Sequence, residues 1–113
     1  MLELAKTIMN MICDGFELEL DDESIALTEK TSVNMIRYAA PMQDEPVLGS
    51  SEHVDGTFLT ILFQNEVEGL RVQTRQGDRH EVKLGGGSLI VFGGHVLRVR
   101  TSSDNLLIMQ ENI

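Results

Sequence analysis

The chain has 113 residues, enough for one domain around one hydrophobic core and too few to expect a second. Hydrophobic residues make up 42% and charged residues 24%, an ordinary globular balance that excludes the charge-rich, core-poor composition of a disordered chain. The net charge of -9, from 18 acidic against 9 basic side chains, argues against a nucleic-acid partner, whose phosphates are held by Lys and Arg.

Leu2, Ala5, Ile8, Met9, Ile12 and Phe16 recur at three- and four-residue spacing with Gly15 as a stop signal, which predicts an amphipathic helix over residues 2–16. Cys13 lies on the apolar stripe of that helix. A lone cysteine cannot form an internal disulfide, so it reads as a buried thiol rather than a nucleophile, in a reducing compartment, and a cytoplasmic protein is expected. Met1-Leu2-Glu3-Leu4-Ala5-Lys6 has no basic region followed by an apolar run. No segment approaches the ~20 apolar residues of a membrane span, so neither export nor a membrane is expected. Met9, Met11 and Met35 read as core filler. The acidic run Glu17 to Glu23 leads into Ser24 to Thr28, which reads equally as a short helical turn or a loop.

From Ser32 the pattern changes to short β-type segments separated by Gly, Pro and polar residues, and the β region is expected over residues 32–110. Candidate strands are Val33 to Tyr38, Thr57 to Phe63, Leu70 to Thr74, His80 to Leu84, Ser88 to Phe92 and Val96 to Thr101, with Leu106 to Met109 a weaker seventh. Arg75-Gln76-Gly77-Asp78 reads as a hairpin turn in which Gly77 supplies a positive φ. With no helical pattern between the strands to make parallel crossovers, the fold class is mainly β, a sandwich or jelly roll with a leading helix.

The chemistry sits in Glu52-His53-Val54-Asp55-Gly56. An imidazole and a carboxylate two residues apart in an extended segment lie on one face and can share one metal ion. Together with a remote second histidine they would make the 2-His-1-carboxylate triad of non-haem iron oxygenases. Taken alone, the pair also fits a polar loop.

The stretch from Gly49 to Val72, with His53-Val54-Asp55, then Leu59-Thr60-Ile61-Leu62, then Gln64-Asn65-Glu66-Val67-Glu68-Gly69-Leu70-Arg71-Val72, closely resembles the core of plant 2-oxoglutarate and Fe(II)-dependent dioxygenases of the isopenicillin-N-synthase-like superfamily. The resemblance continues upstream through Ser32 to Tyr38 and Pro41, and downstream through Gly87 to Gly94. The spacing around Tyr38 and Pro41 looks closest to the branch that includes glucosinolate side-chain oxygenases.

The resemblance takes in the opening helix and the chain to about Leu97, and implies one partial domain over 1–113: the helix of residues 2–16 followed by an incomplete double-stranded β-helix, a distorted jelly roll. It implies His53 and Asp55 as ligands of Fe(II), 2-oxoglutarate as co-substrate, and O2 and a small plant metabolite as reactants. Tyr38 lies where the family has a tyrosine pair that helps to hold 2-oxoglutarate. Ala39 stands in place of the second tyrosine, and a surface strand residue is the alternative reading for Tyr38.

After Gly94 the family pattern is not followed. His95 replaces an acidic residue, Thr101-Ser102-Ser103-Asp104-Asn105 only loosely echoes the expected turn, and neither the second iron histidine nor the Arg-x-Ser that grips 2-oxoglutarate appears. The resemblance therefore implies a C-terminally truncated or divergent member. Iron held by one imidazole and one carboxylate is under-coordinated, and a dicarboxylate without its guanidinium loses its strongest clamp. His95 or His80 as the third ligand stands against their reading as turn or surface histidines. Arg98 and Arg100, alternating with Val96 and Val99, read as solvent-facing strand residues. Gly85-Gly86-Gly87 reads as a turn, since no Lys-Ser/Thr pair follows.

Two other readings remain open. One is a non-catalytic relative that associates with itself or another chain through open sheet edges; the other is a cupin-like metalloprotein.

Overall fold

The computed structural model describes residues 1–19, 21, 30–40, 42, 48–65, 67–83, 85, 87–101 and the backbone of 108–111. In chain order its elements are α1 (Leu2–Gly15), β1 (Leu59–Leu62), β2 (Leu70–Gln73), β3 (Arg79–Glu81), β4 (Ile90–Gly93), α2 (His95–Thr101) and β5 (Ile108–Glu111).

α1 forms where the periodicity places it, and its end is set one turn-residue later than Gly15. Leu18 N–H donates to Cys13 O at 2.9 Å and Glu17 N–H to Asp14 O at 3.3 Å, with Glu17 at a left-handed φ of 52°. That is the Schellman pattern of helix termination. A glutamate takes the position glycine usually fills because Leu18, just beyond it, is drawn into the core beside Cys13. The packed side of α1 carries Met9, Ile12 and Cys13. Met11 is 68% exposed, so it does not fill the core as expected: it lies on the outer half of a broad apolar arc, turned away from Cys13.

The strands make two antiparallel sheets. In one, β1 pairs with β4 in the register Leu59↔Gly93, Thr60↔Phe92, Ile61↔Val91 and Leu62↔Ile90. In the other, β2 is central between β3 and β5. Directly opposed residues share a face, so Thr60, Leu62, Ile90 and Phe92 point to one side of the first sheet. On that side Leu62, Ile90 and Phe92 meet Leu70 and Val72 of β2, and with Val82 these six form one core cluster. The other cluster joins Cys13, Phe58 and Leu97, with Leu59 and Val96 packed against them. Each fully buried side chain of this kind stabilises by ~1.5–3 kcal/mol.

The β2–β3 hairpin has the expected turn. Gly77 sits at φ 91°, its N–H reaches Thr74 O at 2.9 Å, and Thr74 N–H closes on Asp78 O at 2.8 Å. The glycine-rich segment is also a turn: Ser88 N–H donates to Gly85 O at 3.2 Å and Gly87 has φ 81°.

Two expected strands are absent. Val96 to Thr101 is helical, because the amides of Gly94, His95 and Val96 are engaged by carbonyls of the 55–58 loop and cannot enter a strand ladder. Val33 to Tyr38 forms no strand: Val33, Met35 and Ile36 are all exposed, so no buried face fixes the segment against a neighbour. Met35, at 97% exposure, is correspondingly not core. The Ser24 to Thr28 segment lies outside the described residues.

Candidate metal half-site

His53 and Asp55 lie in the irregular stretch leading into β1, and three backbone hydrogen bonds hold that stretch in place. Gly94 N–H donates to Phe58 O at 2.9 Å, His95 N–H to Asp55 O at 2.7 Å and Val96 N–H to Thr57 O at 3.2 Å. So close an approach needs a residue without a side chain at position 94: a Cβ there would stand 2.0 Å from Thr57 O. On the other flank, the Glu52 carboxylate pairs with Arg79 of β3 at 3.3 Å.

Within this frame, His53 Nε2 stands 3.3 Å from Asp55 Oδ1, with the imidazole 43% and the carboxylate 20% exposed. The other ring nitrogen, Nδ1, is 2.8 Å from Ser51 O. A backbone carbonyl only accepts, so Nδ1 carries the proton of the neutral ring and Nε2 presents a lone pair. The carboxylate facing it is also only an acceptor. Two lone-pair donors at this distance, one neutral and one anionic, can share a single metal ion. A carbonyl behind the second nitrogen is the usual way a ligating histidine is oriented. The donor set, one imidazole and one carboxylate, suits Fe(II), and His53 Nε2 and Asp55 Oδ1 are the atoms that would hold it.

Asp55 is held from behind. Its Oδ2 accepts a hydrogen bond from Thr60 Oγ1, and Thr60 Oγ1 lies 3.1 Å from Thr57 Oγ1. Thr60 has one hydroxyl proton and gives it to the carboxylate, so Thr57 must be the donor of the second bond. Nothing in residue type or spacing marks Ser51 or Thr57 as part of the site. A signal for Thr60 was present, since it is the polar residue within Leu59-Thr60-Ile61-Leu62.

The other candidates do not join the pair. His95 touches Asp55 through its backbone while its side chain is exposed, and His80 is exposed on β3, opposite Val72. Among the described residues no three His, Cys, Asp or Glu side chains gather as a metal site. Tyr38 is 36% exposed in the 30–40 segment, which has no regular secondary structure. Arg98 and Arg100 are exposed as expected, but on α2, where Arg100 pairs with Asp21 at 2.9 Å. Cys13 is 8% exposed, and burial first and the neighbouring Asp14 charge second push its thiol pKa up, as befits a packing residue. No helix among the described residues is long and apolar enough to cross a membrane.

Comparison with known proteins bears on what this half-site is for. The chain is 32% identical over 124 residues to 1-aminocyclopropane-1-carboxylate oxidase homolog 3 of Arabidopsis thaliana, an alignment taking in 100% of this chain and 32% of that protein. It is 27% identical over 99 residues to scopoletin 8-hydroxylase of the same plant, with 87% and 28% covered. It is 30% identical over 105 residues to gibberellin 3-beta-dioxygenase 1 of Pisum sativum, with 88% and 28% covered. The chain thus spans about a third of the length of the curated relatives it matches. No solved structure matches it. The 2OG-Fe(II) oxygenase superfamily matches residues 30–107, which include His53, Asp55 and all of β1 to β4, and the chain belongs to that superfamily.

Proposed function

We propose that this chain is part of a 2-oxoglutarate- and Fe(II)-dependent dioxygenase that oxidises a small organic metabolite, and that His53 and Asp55 are two of the three protein ligands of its iron. The observation that carries the reading is the pairing of His53 Nε2 with Asp55 Oδ1 at 3.3 Å, two lone-pair donors converging with the imidazole oriented by Ser51 O. When bound, the iron supplies O2 activation coupled to the conversion of 2-oxoglutarate to succinate and CO2. The chain's own residues supply ligands and their orientation. The two antiparallel sheets, on this reading, belong to an incomplete double-stranded β-helix that α1 precedes within one partial domain over 1–113, with the half-site in the stretch leading into β1.

Relatives named for scopoletin hydroxylation and gibberellin oxidation support a small plant metabolite as the organic substrate. In the proposal the chain lacks the second iron histidine and the co-substrate arginine. Fe(II) binding by the 113 residues is therefore weak, and turnover of 2-oxoglutarate is slow or absent.

Anaerobic titration of the folded chain with Fe(II), followed calorimetrically, tests this. Saturable binding that disappears in His53→Ala and Asp55→Ala is expected. Binding that is unchanged in both variants would overturn the assignment of the ligands, and succinate production at an ordinary enzymatic rate would overturn the incomplete site.

A further inference from the structure

We infer that Thr60, backed by Thr57, is a positioning residue that fixes the Asp55 carboxylate so that only Oδ1 is presented to the metal; the inference rests on the metal reading proposed above.

A carboxylate on an irregular loop can rotate about its last two bonds and bind a cation through either oxygen or both. Here one oxygen is already committed. Thr60 Oγ1 donates to Asp55 Oδ2, while Oδ1 faces His53 Nε2. Thr60 is itself fixed. It belongs to β1, opposite Phe92 of β4, and shares the side of the sheet on which Leu62, Ile90 and Phe92 pack against Leu70 and Val72. Its hydroxyl is a polar group at an inward position of an apolar strand, and Asp55 gives it a partner. Thr57 Oγ1, at 3.1 Å, donates to the Thr60 oxygen and so sets the hydroxyl rotor, leaving the Thr60 proton aimed at the carboxylate.

The backbone completes the arrangement. Thr57 and Asp55 are the residues whose carbonyls receive the amides of Val96 and His95. Donor, relay and ligand are thus all anchored to the same pair of elements, β1 and the start of α2. Hydrogen bonding to a ligating carboxylate both orients it and tunes its donor strength, and loss of such a partner ordinarily weakens a metal site by roughly 10–100-fold.

The test is Mn(II) binding by the full chain, read from the loss of the free-ion electron paramagnetic resonance signal. The wild type is compared with His53→Ala, Thr60→Val, Thr60→Ser and Thr57→Val, each checked by circular dichroism and thermal melting. Thr60→Val keeps the shape and deletes the hydroxyl; affinity is expected to fall by roughly tenfold or more. Thr60→Ser restores the hydroxyl and is expected to stay within about threefold of the wild type, a rescue that packing alone would not give, since serine removes the methyl group. Thr57→Val is expected to lie between them, and it decides the matter if Thr60→Val does not fold. A His53-dependent signal that is unchanged in Thr60→Val and Thr57→Val would overturn the positioning role and leave the metal assignment standing. Absence of any His53-dependent binding in the wild type would overturn the metal assignment itself and this inference with it.

Discussion

Gly94→Ala is the substitution that most directly tests how the half-site is anchored. The added Cβ would lie 2.0 Å from Thr57 O, 2.7 Å from Thr57 C and 2.9 Å from Thr57 Oγ1. Ordinary contact begins at 3.4 Å, so the backbones must separate by about 1.4 Å, and neither partner is the free end of a flexible side chain. The bond from Val96 N–H to Thr57 O, already 3.2 Å long, is then lost, and that from His95 N–H to Asp55 O, at 2.7 Å, is strained. Overpacking costs ~1–3 kcal/mol, and a buried backbone group left without its partner costs about as much again. The expected loss is therefore about 3 kcal/mol or more, a large part of the ~5–15 kcal/mol available to a domain. In a chain of this size it corresponds to a fall in Tm of about 12 °C or more. Urea denaturation and thermal melting read it, with Gly15→Ala as control. Gly15 has open space around it and sits inside α1, so alanine there is expected to be neutral or stabilising by up to about 1 kcal/mol. A Gly94→Ala protein within about 0.5 kcal/mol of wild type, the range of an ordinary surface change, would refute the close approach of the 94–96 amides to the 55–58 loop.

Gly77→Ala places a side chain at φ 91° in open space, so its cost is conformational alone: about 1–2 kcal/mol in urea denaturation, with Gly77→Asn milder. The Cys13 thiol, raised by burial and by Asp14, is expected to react with a thiol reagent far more slowly in the native chain than in urea. Its linkage follows the same direction. A native pKa above the unfolded one leaves stability unaffected by this group below the unfolded value and lowers it as pH rises from there through the native value, so Cys13→Ala should flatten the alkaline limb of a stability–pH profile.

Local pattern foretold most of the elements, and the exceptions share a cause. The α1 periodicity, the β2–β3 turn and four of the strand segments are short-range signals; the β2–β3 hairpin is closed by contacts close in sequence, and β2 carries a buried alternating face in Leu70 and Val72. Val96-Leu97-Arg98-Val99-Arg100-Thr101 reads as strand on β-branched content and alternation. What decides it is remote: the amides of residues 94–96 are taken by carbonyls some forty residues earlier, and Leu97 is buried with Val96 packed beside it while Val99 stays 62% exposed, a helical rather than an alternating pattern. Val33 to Tyr38 has strand composition with no burial to enforce it. Propensity yields to tertiary context in both cases.

The site divides in the same way. The types and spacing of His53 and Asp55 could be read from the sequence because two residues on one face of an extended chain is a local property. Their orientation could not, because it is set by hydrogen bonds that depend on the path of the 51–60 segment and on what packs against it, not on residue type alone. Ser51 O selects the imidazole nitrogen, Thr60 Oγ1 selects the carboxylate oxygen, and the glycine at 94 lets α2 approach closely enough to hold both Asp55 and Thr57 by their carbonyls. A His-x-Asp sequence elsewhere, without an inward hydroxyl on the following strand and a close glycine opposite, would have the same two donors with no reason for them to face each other. That difference can be measured: a double-mutant cycle between Thr60→Val and Asp55→Asn should show coupling of about 0.5–3 kcal/mol in stability, whereas additivity would mean that the hydroxyl and the carboxylate act independently.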